Sequence, residues 1–123
     1  MSTLLWIMLG GALGTGARYG LVTQLQSSPL DGFPYGTLAI NLAGCLLIGV
    51  LASTLAGATG ARADLKLALM VGVLGGFTTF SSFGLETLTL LQSGATGLAA
   101  LYVLTSNVGG IALAWGGYRL AGQ

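Results

Sequence analysis

Long apolar runs separated by short polar stretches dominate the pattern of this chain. Three runs contain no charged residue: 32–61, 67–85 and 87–118. A fourth run, near the N-terminus, contains only Arg18. A helix needs about 20 apolar residues to cross a hydrocarbon core, at roughly 1.5 Å per residue. The pattern therefore predicts an all-α integral membrane protein, one domain over residues 1–123 with four transmembrane helices at roughly 4–25, 35–55, 67–91 and 98–120.

Short polar segments connect the runs. The segment "QSSPLDGFPYG" contains prolines, glycines and an aspartate, so it is predicted to end one helix and begin the next near Pro34. The segment "AGATGARADLK" is predicted to be a loop, and "QSGATG" joins the last two spans. A cleaved signal peptide is a poorer interpretation of the first run, because no basic segment precedes Leu4 and no small-residue cleavage site follows.

Charge is too scarce for a soluble protein and offers little chemistry. Charged residues are 6% of the 123, against roughly 25% in soluble domains. There is no histidine, and the one cysteine, Cys45, lies inside the second span. Two of the three carboxylates fall in predicted loops, so no nucleophile–base pair or metal cluster can be assembled. An enzyme is therefore not expected, and a net charge of +1 gives no indication of a nucleic-acid partner.

Glycine indicates how the helices pack. It accounts for 22 residues, and small residues four apart let helix backbones approach closely in lipid. Such pairs are Gly10–Gly14, Gly16–Gly20 and Gly72–Gly76. Four short spans make a small bundle, so self-association is expected. With the N-terminus inside, the cytoplasmic side carries three Lys and Arg residues against one, a bias small enough to allow insertion in both orientations.

The segment "GGFTTFSSFG", Gly75 to Gly84, interrupts the third run with glycines and hydroxyl residues. These hydroxyls compete for backbone hydrogen bonds, so the segment predicts a break in the third helix. A break at membrane depth is tolerated only where protein or a water-filled path satisfies the freed groups. The freed carbonyls are oxygen ligands for a small cation, and the pattern indicates either an ion site or a simple kink.

Aromatic and polar residues accompany the break. Phenylalanines recur every third residue, and a ring edge attracts an anion weakly, as conduction requires. Asn41 lies in the middle of the second span, and Tyr102 and Ser106 are four apart on the fourth. Polar residues inside a membrane are functional candidates, although they also join helices. The two charges within spans are Arg18, predicted to reach the interface or an anion vestibule, and Glu86, one turn beyond the break.

Four segments in register, "GGALGTGARY", "GTLAINLAG", "GGFTTFSSF" and "YVLTSNVGG", resemble the Fluc/CrcB family of small fluoride channels. The resemblance covers all four spans. It implies a fluoride-selective passive channel of the bacterial inner membrane that exports cytoplasmic fluoride. It further implies a dual-topology antiparallel homodimer with two pores and a structural sodium ion at its centre.

The resemblance also assigns roles to residues of this chain. The backbone carbonyls of Gly75 and Thr78 correspond to the sodium ligands. The pore-lining residues are a pair of rings and a polar set: Phe80, Phe83, Asn41, Tyr102, Ser106 and Ser81. Arg18 and Glu86 correspond to the basic residue of the first helix and the acidic residue after the phenylalanines.

Two other functions fit a chain of this size. A four-helix multidrug or cation exporter also forms antiparallel dimers, but a proton-coupled exporter needs a carboxylate deep in the bundle. The first span contains no acid, and Glu86 is the only carboxylate within any span. A membrane subunit that transports nothing is the remaining alternative, and it predicts no flux from the purified protein.

Overall fold

The computed structural model describes residues 2–26 and 32–123, and the regular structure in these ranges is entirely helical. The helices are α1 (Thr3–Leu25), α2 (Tyr35–Thr54), α3 (Ala61–Leu67), α4 (Leu74–Phe77), α5 (Phe80–Gln92), α6 (Thr96–Leu104) and α7 (Gly110–Ala121). Two π-helical segments, Ala68–Val73 and Thr105–Gly109, connect α3 to α4 and α6 to α7. Most of the predicted turn between α1 and α2, with Asp31, lies outside the described residues.

Three helical stretches in the described part of the chain are long and apolar enough to cross a membrane: Tyr35–Thr54, Ala61–Gln92 and Thr96–Ala121. The protein is therefore a multi-pass membrane protein. At 23 residues, α1 has the length for a further span, but its glycines and Arg18 make it less apolar. Large apolar side chains on the outside of the helices are strongly exposed, as at Leu13 (71%) and Ile111 (73%).

The third stretch begins earlier than the sequence predicts. Residues 61–67, which include three charged residues of the predicted loop, are helical. Gly60 precedes them with a φ of 57°, a left-handed conformation that glycine adopts without steric cost. Ala, Arg, Leu and Lys are strong helix formers, so once the turn at Gly60 is made the helix continues without a break into the apolar run.

Glycines bring α1 against the first half of the third stretch. A methyl group at Gly14 would overlap the carbonyl oxygen of Val73, and one at Gly72 would lie 2.7 Å from the carbonyl oxygen of Ile7. Gly10 and Gly76 are equally close to the opposite backbone. Two of the three predicted small-residue pairs therefore form this contact. The third pair, Gly16–Gly20, has open space where its side chains would be.

A second close contact joins α2 to α7. A methyl group at Gly49 would overlap the carbonyl oxygen of Ala114, and one at Gly117 would overlap that of Leu46. Gly110 faces Cys45, whose sulfur would lie 3.1 Å from an added Cβ. The helices pack backbone to backbone, because dispersion between closely approaching backbones replaces the hydrophobic drive that is absent in lipid.

The α5 and α6 helices form a hairpin. The N–H of Ala95 donates to Leu90 O at 2.9 Å and that of Gly94 to Leu91 O at 3.1 Å, the bond pattern of a Schellman motif. Gly94 has a φ of 80°, which this motif requires at its left-handed residue. The turn places Leu90 in a buried cluster with Phe33, Ala99 and Tyr102.

Candidate functional site

The third stretch is interrupted at Thr78 and Thr79, between α4 and α5. Both residues have extended backbone conformations, with ψ angles of 158° and 118°. The hydroxyl of Thr79 accepts a hydrogen bond from Ser82 N at 3.2 Å and so caps the start of α5. The hydroxyl of Thr78, the residue that follows α4, donates to Leu74 O at 2.9 Å. The two threonines end one helix and begin the next.

Asn41 of α2 holds the interrupted backbone. Its Oδ1 accepts from Thr79 N at 2.8 Å, and its Nδ2 donates to Thr79 O at 3.0 Å. The side-chain amide therefore pairs with the main chain of Thr79 much as a neighbouring strand would. Both groups need a partner at this depth, because an unsatisfied peptide group in an apolar environment costs several kcal/mol.

Arg18 of α1 meets the break from the other side. Its Nε donates to Gly76 O at 3.0 Å, so a guanidinium group lies at the C-terminal end of α4. A cation is favourable there, because the last carbonyls of a helix carry partial negative charge. The sequence predicts this residue at an interface or a vestibule, and the hydrogen bond to Gly76 is an additional contact that it does not reveal.

The carbonyls of Gly75 and Thr78 lose their helical partners at the break. In a continuous helix Thr79 N would donate to Gly75 O and Ser82 N to Thr78 O. Here Thr79 N donates to Asn41 and Ser82 N to the Thr79 hydroxyl. Among the described residues no cluster of histidine, cysteine or carboxylate is suited to a metal ion. Backbone carbonyls are hard oxygen ligands, so these two fit a small hard cation such as sodium.

Two rings lie just beyond the break. The centroids of Phe80 and Phe83 are 5.4 Å apart, and Phe83 is 5.1 Å from the ring of Tyr102. Phe80, the first residue of α5, is 82% exposed on the single chain. Phe83 is half-buried, held between Phe80 and Tyr102.

The carboxyl group of Glu86 lies between α2 and α6 and accepts hydrogen bonds from two hydroxyl groups. Thr37 donates to its Oε1 and Tyr102 to its Oε2, both at 2.6 Å. Thr37 and Tyr102 are almost fully buried, at 1% and 0% exposure. Both distances lie at the short end of the range for O–H···O hydrogen bonds. The three side chains join α2, α5 and α6.

A cavity of about 310 Å³ opens beside the break. It brings together six of the residues that the sequence singles out: Asn41, Gly75, Thr78, Phe80, Phe83 and Ser106. The Ser106 hydroxyl oxygen is buried and makes no hydrogen bond within the described structure. Arg18, Ser81, Glu86 and Tyr102 do not line this cavity. Ser81 is exposed, with its hydroxyl 3.3 Å from that of Thr79.

Comparison with known proteins decides the family. The family model described as "CrcB-like protein, Camphor Resistance (CrcB)" matches residues 5–118. The chain belongs to the CrcB family. The resemblance that the four sequence segments carry is thereby confirmed.

The relatives of this CrcB-family protein match it over almost its whole length. One from Thermus thermophilus is 52% identical over 123 residues, covering 99% of this chain and 97% of its own. One from Methylobacillus flagellatus is 43% identical over 121 residues, covering 98% and 94%. One from Agrobacterium fabrum is 43% identical over 122 residues, covering 98% and 96%. Each is named "Fluoride-specific ion channel FluC", which is the name of a channel and not of an enzyme.

Sequence reasoning missed two contacts of the site. Thr37 lies one turn before Asn41 on α2, and that spacing indicates a shared face but not a bond to Glu86. Gly44 makes room for the Thr78 side chain, since a methyl group there would overlap Thr78 Cγ2. Of the pair Tyr102 and Ser106, Ser106 lines the cavity and Tyr102 donates to Glu86.

Proposed function

We propose that this protein is a passive, fluoride-selective ion channel that lets cytoplasmic fluoride leave the cell. The observation that carries the proposal is the cavity beside the broken helix, whose lining includes Phe80, Phe83 and Ser106. The names of the relatives support the same conclusion. On this view the protein is not an enzyme, and its site binds and releases an ion without changing it.

The cavity has the chemistry of a weak anion path. Its described lining residues include no Lys, Arg, Asp or Glu. The positive edges of Phe80 and Phe83 and the hydroxyl of Ser106 offer the stabilisation that a partly dehydrated anion needs. Without a buried cation the binding stays weak, as rapid exit requires. Fluoride is strongly hydrated, so donors such as Ser106 and Ser81 would replace part of its water shell.

The residues outside the cavity have supporting roles. The charge of Arg18 attracts anions toward the mouth of the path. Tyr102 and Glu86 form the polar wall behind Phe83, where the Tyr102 ring contacts Phe83 and its hydroxyl is held by Glu86. A fixed Tyr102 keeps the Phe83 ring in place, and the ring edge is what the passing anion meets.

The freed carbonyls would hold a structural sodium ion. Gly75 and Thr78 supply two oxygens per chain, and hard cations take more ligands than two. A second copy of the chain would bring two more oxygens to the same ion. Bound sodium would supply fixed positive charge at the centre of the assembly, where it neutralises the carbonyl dipoles.

The need for more than two sodium ligands favours an antiparallel homodimer, which would contain two pores. The 82% exposed ring of Phe80 and the exposed Gly75 both lie at the break, on the surface that a second copy would cover. With α1 as the fourth span, the near balance of Lys and Arg between the two sides lets the chain insert both ways. The exposed apolar side chains elsewhere would contact lipid, in the inner membrane of a bacterium.

An exporter of drugs or cations is the weaker candidate. Such a protein needs a carboxylate that is open to a proton and a cationic substrate. Both oxygens of Glu86 already accept hydrogen bonds, from Thr37 and Tyr102. No observation favours this function over the channel.

The proposal is tested by fluoride efflux from liposomes. The purified chain alone is reconstituted into vesicles loaded with potassium fluoride, and an electrode follows external fluoride before and after addition of valinomycin. Fast efflux that depends on valinomycin is expected, because a channel carries charge and needs potassium to leave with the fluoride. Absence of efflux from folded protein contradicts the proposal.

The matched pair of variants is Phe80→Ile and Phe77→Ile. Phe80 lines the cavity, whereas Phe77, three residues earlier in the same stretch, does not. Loss of efflux in the first variant with retention in the second is expected. Equal efflux in both variants would show that the Phe80 ring edge has no part in the path.

A further inference from the structure

Asn41 holds a peptide unit whose other end is the carbonyl of Thr78. The N–H of Thr79 and the carbonyl of Thr78 belong to the same planar, trans unit, so they point in opposite directions. The Thr79 N–H points at Asn41 Oδ1, at 2.8 Å. The Thr78 carbonyl oxygen is therefore turned away from the Asn41 side chain. The direction of this oxygen follows from a bond made at the other end of the unit.

The neighbouring groups are held as well. Thr78 N and the Thr78 hydroxyl both donate to Leu74 O, at 2.9 Å each. On the other side, Thr79 O accepts from Asn41 Nδ2, and the Thr79 hydroxyl accepts from Ser82 N. Hydrogen bonds therefore hold the backbone on both sides of the Thr78–Thr79 peptide unit. The unit itself could still rotate about the line between its two Cα atoms, and the bond from Thr79 N to Asn41 Oδ1 opposes that rotation.

We propose that Asn41 is a positioning residue for the cation, acting through the Thr79 N–H to aim the Thr78 carbonyl. This inference rests on the proposed function, in which that carbonyl binds sodium. Asn41 itself does not touch the ion. Residues that orient metal ligands typically change metal affinity by about 10–100-fold when replaced.

The role differs from that of a donor lining the anion path. The Nδ2 group of Asn41 already donates to Thr79 O, so part of its donor capacity is used by the backbone. The positioning bond instead uses Oδ1 as an acceptor. In its ionised form, the aspartate of Asn41→Asp keeps an acceptor for Thr79 N and loses the donor to Thr79 O, so this variant separates the two roles.

The experiment measures sodium binding and not flux. Purified full-length protein is heated in sodium chloride solutions of increasing concentration, with N-methylglucamine keeping the ionic strength constant. A cation that binds only the folded state raises the unfolding midpoint in proportion to the logarithm of its concentration. The apparent sodium affinity is obtained for the wild type and for Asn41→Leu, Asn41→Asp and Asn107→Leu.

Asn107→Leu is the matched control. Asn107 is also an asparagine lining the same cavity, but among the described residues its Nδ2 donates only to Val103 O of its own helical stretch, at 2.8 Å. We expect Asn41→Leu to weaken sodium at least about tenfold, the lower bound for orienting residues. Asn41→Asp keeps the acceptor and is expected to retain wild-type affinity or to exceed it. Asn107→Leu is expected to match the wild type.

The outcomes distinguish failure of the positioning role of Asn41 from failure of the proposed sodium site and channel. Unchanged sodium affinity in Asn41→Leu overturns the positioning role while leaving the channel intact. A wild type whose midpoint does not respond to sodium overturns the sodium site and the inference together, and fluoride efflux then tests the channel by itself. If the leucine variant does not fold, the aspartate variant decides, because a tenfold loss there contradicts a role that needs only the acceptor.

Discussion

Arg18 and Gly76 are 58 residues apart in the chain, and the Nε of Arg18 donates to the Gly76 carbonyl oxygen at 3.0 Å. The bond joins α1 to the end of α4, where the helix stops and its last carbonyls have no helical partners. A guanidinium group inside a membrane protein is costly unless it is paired. Here the Gly76 carbonyl oxygen is the hydrogen-bond partner of the guanidinium group, so neither group is left unpaired.

Replacing Arg18 with methionine is expected to destabilise the fold. Methionine has no N–H to donate to Gly76 O, and an acceptor left without a donor in an apolar environment costs about 1–3 kcal/mol. The measurement is the thermal unfolding midpoint of the purified protein. Arg119→Met is the control, because Arg119 is exposed and its guanidinium lies over the Trp115 ring. Equal midpoints for the two variants would contradict the structural role of the Arg18 bond.

Gly44→Ala is expected to disturb the break. The added methyl group would overlap Thr78 Cγ2, so the Thr78 side chain must shift, and its hydroxyl bond to Leu74 O is disturbed. Gly116→Ala adds the same methyl group where nothing lies within 4 Å, and an alanine there favours the helix by roughly 0.5–1 kcal/mol in water. We expect lower unfolding temperature and lower fluoride efflux for the first variant only. Efflux at the wild-type rate in Gly44→Ala would exclude a tight contact at Thr78.

The two hydroxyls that bind Glu86 are expected to act together. Thr37→Val and Tyr102→Phe each leave one carboxylate oxygen without its donor. A double-mutant cycle on the free energy of unfolding measures their coupling, which for residues sharing one network is about 0.5–3 kcal/mol. Ser53→Ala combined with Tyr102→Phe is the control cycle, since Ser53 lies at the far end of α2. Coupling near zero in the test cycle would mean that the two bonds to Glu86 are energetically independent.

The two rings beyond the break are expected to differ in their effect on stability. Phe83 packs against both Phe80 and Tyr102, and aromatic pairs contribute about 0.5–1.5 kcal/mol beyond the area that they bury. Phe83→Ile should therefore lower the unfolding midpoint in detergent as well as the fluoride efflux. Phe80→Ile loses one of these ring contacts where Phe83→Ile loses two, so it should lower the efflux with a smaller change in the midpoint. A reversed order of midpoints would contradict a packing role for Phe83 between the two other rings.

Dual topology predicts equal labelling from both sides of the membrane. In a Cys45→Ser background, a cysteine is placed at Gln123, and sealed inverted vesicles react with a maleimide that does not cross the bilayer. About half of the chains should react, since orientation follows the Lys and Arg count and here the count is nearly balanced. Adding two lysines after Ala58 should move the labelled fraction toward one side. Complete labelling, or none, in the parent variant would show one fixed orientation.

Residue types in the third span predict the break in its helix, but they do not predict the side chains that bind its backbone. Glycines and hydroxyl residues in Gly75–Gly84 weaken a helix for reasons that act within a few residues, so a break within this segment could be predicted. The bonds from Asn41 and Arg18 join residues 38 and 58 positions apart. No periodicity along the chain indicates which span lies beside which. The bonds from Asn41 and Arg18 can therefore be identified only from the packed structure.

Glycine spacing predicted close packing better than it predicted where that packing occurs. Gly10–Gly14 and Gly16–Gly20 are the same pattern on the same helix, but only the first pair meets another backbone. The spacing gives two small residues on one face, and the neighbour must be supplied by the rest of the fold.

The order of the partners along the chain bears on how the protein is made. The break exposes peptide groups that α4 and α5 cannot satisfy by themselves, and a bilayer offers no water to do so. Their partners, Arg18 and Asn41, lie on helices that leave the ribosome earlier, since synthesis proceeds from the N-terminus. When the break enters the membrane, Arg18 and Asn41 are already there to bind Gly76 and Thr79. Moving α1 and α2 to the C-terminus by circular permutation would reverse this order and leave the nascent break unpaired during insertion.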